Sequence, residues 1–552
     1  MGMKDSSERL KIIFQNLPND PLVIELIILV REFIEENQQL RLENQQLHLE
    51  NQQLKYEVQN LKDEIAILKN QPPRPKIEPS KLEKAKESTG NRKENWSKGS
   101  KNQKLIIDRE EKIEIPPDQI PRGAIFKGYK SHTVQELIIR TETTRYLLAQ
   151  WQLPDKTYIF AKLPAELEGQ HFGPKLRTYI LHQHHANRVT QNRIYDDLKD
   201  KNVLISAGQV DKVLVDEAKV LKQEKEDLLN AGLKSAYVQT DDTSARHKGV
   251  NGVATVICNK FFTYIKSTRY KSRINFLEIL CCSKIEYTIT NAALDYIKKY
   301  KNAELTTSKL QALLNNGPMD SEQWEAFLKE HQFGGNTRRI LTESALIGTL
   351  VAREIISPEI ILMSDGAGQF HLFVHILCWI HVERLVKKLI PINETDRLER
   401  DAILEKYWDY YRDLKAYKDA PTEEQKIALD ARFDEIFSFK ASEQGLAQAL
   451  KKIRDQKAQL LLVLEYPDVP LHNNMSEGDI REYVTKRKIS GGTRSDAGRD
   501  ARDTCISLLK TCKKLGIKFW EFLSDRLNKT DKIPPLAELI RKKIAQAAAA
   551  GP

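Results

Sequence analysis

The sequence predicts an α/β protein: a mixed sheet with flanking helices, enlarged by helical insertions and preceded by a parallel coiled coil, a small β module and a helical region. Three observations carry this. A heptad repeat runs through the first seventy residues. Two short apolar runs, ending at Gln239 and Met363, lead almost directly into acidic residues, as strands of a core sheet would. The long stretches around the second run have helical composition and period.

With 552 residues the chain has room for about three or four domains. Lys and Arg number 87 against 77 Asp and Glu, a net charge of +10 that favours an anionic partner. A content of 40% hydrophobic residues excludes wholesale disorder. Six cysteines without a C-x-x-C pair argue against a disulfide framework or a Cys-rich zinc ribbon, and for reduced thiols in the cytoplasm. The longest apolar run, Leu22–Val30, includes Glu25 and is far shorter than the roughly 20 residues of a membrane helix, so no membrane partner is expected.

Residues 1–71 carry the heptad. Phe33, Leu40, Leu47, Leu54, Leu61 and Leu68 occupy d, while Val30, Asn37, Asn44, Asn51, Val58 and Ile65 occupy a. Glu36–Arg41, Glu43–His48, Glu50–Lys55, Glu57–Lys62 and Glu64–Lys69 pair g with e, which suits a parallel dimer, and the Asn residues at a penalise other registers. Residues 72–104 form a basic linker with ten Lys or Arg against four Glu. It reads either as a solvated spacer or as a contact with the DNA backbone. Residues 105–165, with β-rich runs at Ile113–Ile115, Leu137–Ile139, Tyr146–Leu148 and Tyr158–Phe160, read as a small β module. Residues 166–232 read as helical. Gln191–Leu198, a polar break at Lys199–Ser206, and Ala207–Leu214 resemble a helix-turn-helix, a pattern also common in helical proteins that never touch DNA. His182, His184 and His185 are expected to cap a helical surface.

Three acidic positions suit a metal-dependent nuclease. Ala236–Gln239 reads as a strand ending at Asp241 and Asp242, followed by strands at Val253–Cys258 and Phe261–Ile265, the arrangement of the first aspartate in an RNase H-like core. Ile360–Met363 runs through Ser364 into Asp365-Gly366. Asn473-Asn474 opens a helix with Glu477 in its first turn. Each has a bland alternative: a turn for Asp241-Asp242-Thr243, a helix cap for Asp365, a helix-dipole partner for Glu477. Together they define an oxygen-only ligand set suited to Mg²⁺ or Mn²⁺, with two ions serving phosphoryl transfer. Asp242, Asp479 and Glu482 are the rival carboxylates. His371, His375, Cys378 and His381 are too spread along the chain for one zinc ion on a helix, and Phe373–Cys378 reads as a strand.

Thr240-Asp241-Asp242-Thr243, Ser364-Asp365-Gly366, Cys378-Trp379-x-His381-x-x-Arg384 and Asn473-Asn474-x-x-Glu477-x-x-x-Arg481 occur in that order. Lys486-Arg487-Lys488 and Ser507-Leu508-x-x-Thr511 with Gly516 follow, and Leu167-x-Gly169-x-x-Phe172-Gly173-Pro174 and Ile205-Ser206-Ala207-Gly208 precede. This set resembles the bacterial insertion-sequence-66 family of DDE transposases over most of the chain. The resemblance implies an RNase H-like catalytic domain at 233–530, with Asp241, Asp365 and Glu477 as its catalytic, Mg²⁺-binding triad and Cys378 and His381 in support. It also implies a zinc-binding module before the core, but residues 105–163 hold no cysteine and only His132, so zinc is not expected there.

The intervals between the three carboxylates exceed what a bare core needs, so helical insertions are expected near 283–350 and 390–470. Residues 531–552 should be a C-terminal helix with a tag-like tail. Arg481, Lys486, Arg487, Lys488 and Arg494 crowd the segment after Glu477 and are expected to contact DNA phosphates. The implied activity is cleavage of the terminal inverted repeats of a mobile element and joining to target DNA. The partners would be double-stranded DNA, a second copy of the chain and helper proteins of the same element, in a cytoplasmic, nucleoid-associated setting. The competing class is a catalytically inactive, architectural DNA-binding protein.

Overall fold

The computed structural model describes residues 107–549, apart from 283, 301–309, 315 and 316, together with Gln39, Glu43 and Gln46, each helical. The heptad seam and the basic linker therefore lie outside the described residues. The chain divides into two units, Met1–Val134 and Gln135–Pro552. In the first, residues 107–134 contain one 3-10 turn, Pro117–Gln119, and leave Ile113, Ile125 and Phe126 exposed.

The second unit opens with a hairpin, β1 (Gln150–Gln152) antiparallel to β2 (Tyr158–Phe160). The β module expected at 105–165 is thus corrected to this single ribbon. Ile113–Ile115, Leu137–Ile139 and Tyr146–Leu148 form no strand. Leu137, Ile138 and Leu147 are 80%, 82% and 88% exposed, so no second layer covers an apolar face that would hold further strands together.

Helices α1 (Pro174–His185), α2 (Gln191–Asp200), α3 (Ala207–Val220) and α4 (Lys222–Gly232) follow. The polar break between α2 and α3 is real. Ser206 caps α3, accepting from Gln209 N, while the Gln209 side chain accepts from Ser206 N, a reciprocal box that starts the helix abruptly. Ile194, Leu198, Val210 and Leu214 are buried where these helices pack.

The central sheet has five strands: β3 (Tyr237–His247), β4 (Val250–Cys258), β5 (Thr263–Thr268), β6 (Ile361–Ser364) and β7 (Val374–Leu377), in the order β5-β4-β3-β6-β7. β3, β4 and β5 form an antiparallel meander, while β6 and β7 run parallel to β3. β3 is longer than the sequence suggested. It pairs with β4 from Gln239 to His247 but with β6 only from Tyr237 to Gln239, so Asp241 and Asp242 lie within the strand rather than at its end.

The remaining elements are helical. α5 (Arg273–Leu280), α6 (Asn291–Lys298), α7 (Ser321–Glu330) and α8 (Gly335–Ala352) separate β5 from β6. α9 (Trp379–Lys387), α10 (Glu394–Asp419), α11 (Glu423–Phe437), α12 (Gln444–Asp455) and α13 (Lys457–Leu461) lie between β7 and α14 (Asn474–Ser490). Among the described residues, both predicted insertion zones are thus largely helical. α15 (Asp496–Leu515), α16 (Phe519–Leu527) and α17 (Leu536–Ala549) complete the chain, and no described helix is long and apolar enough to cross a membrane.

α15 explains the Ser507/Thr511 pattern. Edge strand β5 presents unpaired N–H groups, and side chains spaced four apart on α15 receive them: Ser267 N donates to Asp503, Ile265 N to Ser507 Oγ (2.9 Å) and Thr263 N to Thr511 Oγ1 (3.1 Å). The edge is closed by a helix instead of another strand.

α8 must pass close to the segment preceding α6. A Cβ built on Gly348 would lie 2.0 Å from Thr288 O. Gly348→Ala, which in an exposed helix would stabilise by up to about 1 kcal/mol, should here destabilise by about 1–3 kcal/mol, read as a lower denaturant midpoint. A raised midpoint would refute the close packing.

Candidate active site

The site forms where β6 leaves β3. The register pairs Gln239 with Met363, and two residues further along each strand stand Asp241 and Asp365. Gly366 turns the chain away at φ +90°, a backbone conformation that disfavours a side chain, and a Cβ there would also press on Leu377. Asp365 steadies the turn by accepting from Ala367 N (3.0 Å).

Strand alternation sorts the neighbouring carboxylates. Odd-numbered residues of β3 face α14: Ala245 joins the small core containing Ile480 and Tyr483, and Gln239 Oε1 accepts from Ser476 N (3.2 Å). Asp241 belongs to this face. Asp242 points to the other, where it pairs with Lys271 (2.9 Å) and accepts from Gln369.

α14 brings the third carboxylate. Its N-terminus is pinned at three points: Gln239 Nε2 donates to His472 O (3.0 Å), Asn473 N to Cys378 Sγ (3.4 Å), and Trp379 N to Leu471 O (2.9 Å). Glu477 sits in the first turn, as expected. Its two oxygens accept from Arg384 (3.0 and 3.3 Å), and His381 Nε2 lies 3.6 Å away while contacting Arg384 at 3.0 Å. The rivals on the same helix are committed elsewhere. Asp479 is buried between Lys510 and Lys514 and accepts from Thr263 Oγ1; although burial opposes it, Lys514 and Lys510 hold its carboxyl below the usual range. Glu482 forms a two-pronged pair with Arg188 (2.6 and 2.8 Å).

Electrostatics ties the three together. Burial pushes the Asp241 carboxyl up to about 7, and the charges of Asp365, Asp242 and Glu477 push the same way, against a hydrogen bond from Asp242 N. Buried polar atoms without partners among the described residues also gather at the foot of α14: both amide atoms of Asn473, Nδ1 of His472 and Nδ1 of His381. Crowded carboxylates beside an unpartnered amide are a donor set that hard divalent cations satisfy. Among the described residues no three His, Cys, Asp or Glu side chains stand ready to hold a metal, and Glu477 has both oxygens on Arg384.

The supporting pair is placed as follows. Cys378 follows β7 as the N-cap of α9, with its thiol pushed up by burial, and His381 lies one turn on, against Arg384 and Glu477. Of the expected DNA contacts, Arg481, Lys488 and Arg494 are exposed, and Arg481 and Lys488 continue the helical stripe of Glu477. Arg487 donates to Ser244 Oγ (2.7 Å). Lys486 is a correction. It is 1% exposed, donates to His184 O, and burial with the nearby Arg502 charge lowers it to about 7, so it braces α14 against the last turn of α1. His185 is likewise buried rather than a surface cap, and His184 Nδ1 contacts Val189 O (2.9 Å). Gln239, Lys271 and Gln369 went unread in the sequence, because nothing local marks a polar residue that acts across the fold.

The chain belongs to the IS66 family of transposases. The family model described as Transposase IS66 family matches residues 351–501, which contain Asp365, Cys378, His381 and Glu477. The chain is also 39% identical, over 321 residues, to uncharacterized protein y4jO of Sinorhizobium fredii (strain NBRC 101917 / NGR234), a match covering 57% of this chain and all of that protein.

Without divalent cations, Asp241 binds its proton more tightly folded than unfolded, so its contribution to stability falls as pH rises from about 4 to about 7. Asp241→Asn should therefore melt higher than wild type at about pH 8 in chelator, with the difference vanishing near pH 4. Thermal melts at the two pH values check this; an equal offset at both would sink the assignment.

Proposed function

We propose that this transposase has an RNase H-like catalytic domain and cuts and joins DNA with Asp241, Asp365 and Glu477 as its catalytic residues. The observation that carries the reading is that Asp365, just past β6, and Glu477, in the first turn of α14, lie near enough to Asp241 in β3 for both charges to push its carboxyl up. The strand order, three antiparallel strands followed by two parallel to the first, supports the fold assignment. The three carboxylates would hold Mg²⁺ or Mn²⁺, two ions in all, which supply neutralising charge at the phosphate when bound.

The chain's own residues do the rest. Gln239, Cys378 and Asn473 fix the first turn of α14, and Arg384 holds the Glu477 carboxylate until a cation takes it. Arg481 and Lys488, in line with Glu477, give phosphates of the transposon end a path leading to the site, with Arg487 and Arg494 beside it. In the first reaction water bonds to phosphorus and a 3′-hydroxyl leaves. In the second that hydroxyl attacks a target phosphodiester, displacing a target 3′-hydroxyl. The substrates are the terminal inverted repeats of the element and a target duplex.

Asp241→Asn, Asp365→Asn and Glu477→Gln should each reduce Mg²⁺-dependent nicking of labelled transposon ends to background while leaving end binding in place. Retained nicking by any of the three removes that residue from the triad. Metal-independent end binding by a wild type that never nicks would favour an inactive architectural protein instead.

The heptad supports a parallel dimer that would hold two ends together. Deleting residues 1–70 should halve the mass seen by light scattering; an unchanged mass would leave the zipper without its role.

A further inference from the structure

We propose that the turn joining β5 to α5, Arg269-Tyr270-Lys271, is a docking site for an unpaired DNA strand running past the carboxylates. The proposal rests on reading the site as a DNA-cutting centre, which sets the ligand class. Tyr270 is 60% exposed, and the Arg269 guanidinium lies 5.2 Å from its ring centroid. Lys271 Nζ is 2.9 Å from Asp242 Oδ1, and Asp242 N in turn donates to Asp241 Oδ1 (2.7 Å). The turn therefore adjoins the proposed catalytic residues.

Its backbone is fixed while its ring is free. Thr268 Oγ1 donates to Tyr270 O (3.1 Å), Ser272 Oγ accepts from Asn275 N (3.2 Å), and Arg273 donates to Gly368 O (2.8 Å) in the segment that follows Asp365. The platform is thereby held against both aspartate-bearing segments. A large aromatic side chain in water forgoes the gain from covering its faces. With a cation over one face, the other remains for a planar ligand, and two flanking cations match the phosphates on either side of one nucleotide.

Paired bases offer only their edges in the grooves, since their faces are stacked within the duplex. A ring platform flanked by Arg and Lys is therefore matched to a base that has left its stack. A base unstacked beside the phosphate being cut would meet this platform.

The test uses the full chain without divalent cations, so that no cutting intervenes. The probes are a single strand carrying 2-aminopurine and its blunt duplex, followed by fluorescence and anisotropy. Wild type should bind the single strand and quench the 2-aminopurine. Tyr270→Ala should weaken that binding by about 5- to 150-fold and abolish the quench, leaving duplex affinity within about twofold. Tyr270→Phe, which keeps the ring, should behave as wild type. Arg269→Gln, which leaves Tyr270 in place, should weaken single-strand binding several-fold and so tests the site if Tyr270→Ala does not fold. Equal single-strand binding by wild type and Tyr270→Ala, equal loss on both probes, or a Phe variant as weak as Ala would overturn the proposal. A chain that shows this pattern yet never nicks DNA would keep the docking site and lose the catalytic reading; a chain that nicks but binds both probes regardless of Tyr270 would do the reverse.

Discussion

The site depends on the early parting of β6 from β3. β3 keeps its antiparallel partner β4 to the end, but its parallel partner is gone after Gln239–Met363. An opening is left beside β3, and Asp241 projects into it while Asp365 stands on its far lip. The N-terminus of α14 fills the opening through Gln239, whose side chain both donates to His472 O and accepts from Ser476 N. Gln239 is 1% exposed, so these bonds form at low dielectric, where losing either would leave a buried amide unmet. This buried amide thereby fixes the helix that carries Glu477.

Like charges held close together must be answered, and the fold answers them unequally. Glu477 has Arg384, and Asp242 has Lys271. Asp241 has no cation partner among the described residues, and burial together with the neighbouring charges pushes its carboxyl upward. Helix geometry enforces the separation on α14. At about 100° per residue, Asp479 and Glu482 point far from Glu477, toward Lys510 and Lys514 in one case and Arg188 in the other. One helix therefore supplies a single carboxylate to the opening and two to its own docking.

Features with a short-range signature were readable in the sequence. The capping box at Ser206–Gln209, the strand through Met363, the first-turn position of Glu477 and the helical character of both insertions all have local causes. Misreadings came where burial on the far side of the fold decides. Asp241-Asp242 looked like a strand end because two acids usually stop a strand, yet β4 pairs straight through them. Lys486 shares its sequence context with Arg487 and Lys488, and only the packing of α14 against the last turn of α1 turns it inward. The apolar runs at 113–115, 137–139 and 146–148 have strand composition but no layer to cover them.

The long intervals between the carboxylates also acquire a physical reason. Arg273 donates to Gly368 O and, at its other end, to Tyr296 of α6, to Tyr300 just beyond it and to Glu343 of α8. The Glu343 side chain is 1% exposed and also pairs with Arg339, so removing either arginine would leave part of a buried charge unanswered. The first insertion thus grips the segment after Asp365. The second grips the other side: Tyr407 of α10 donates to Trp379 O (2.6 Å), and Trp379 Nε1 donates to Leu460 O of α13 (3.2 Å). Trp379 lies between Cys378 and His381, the two residues that meet the foot of α14. Each insertion therefore clamps one of the two connections flanking the opening, which is how segments far apart in sequence are tied to the strands that carry the acidic residues.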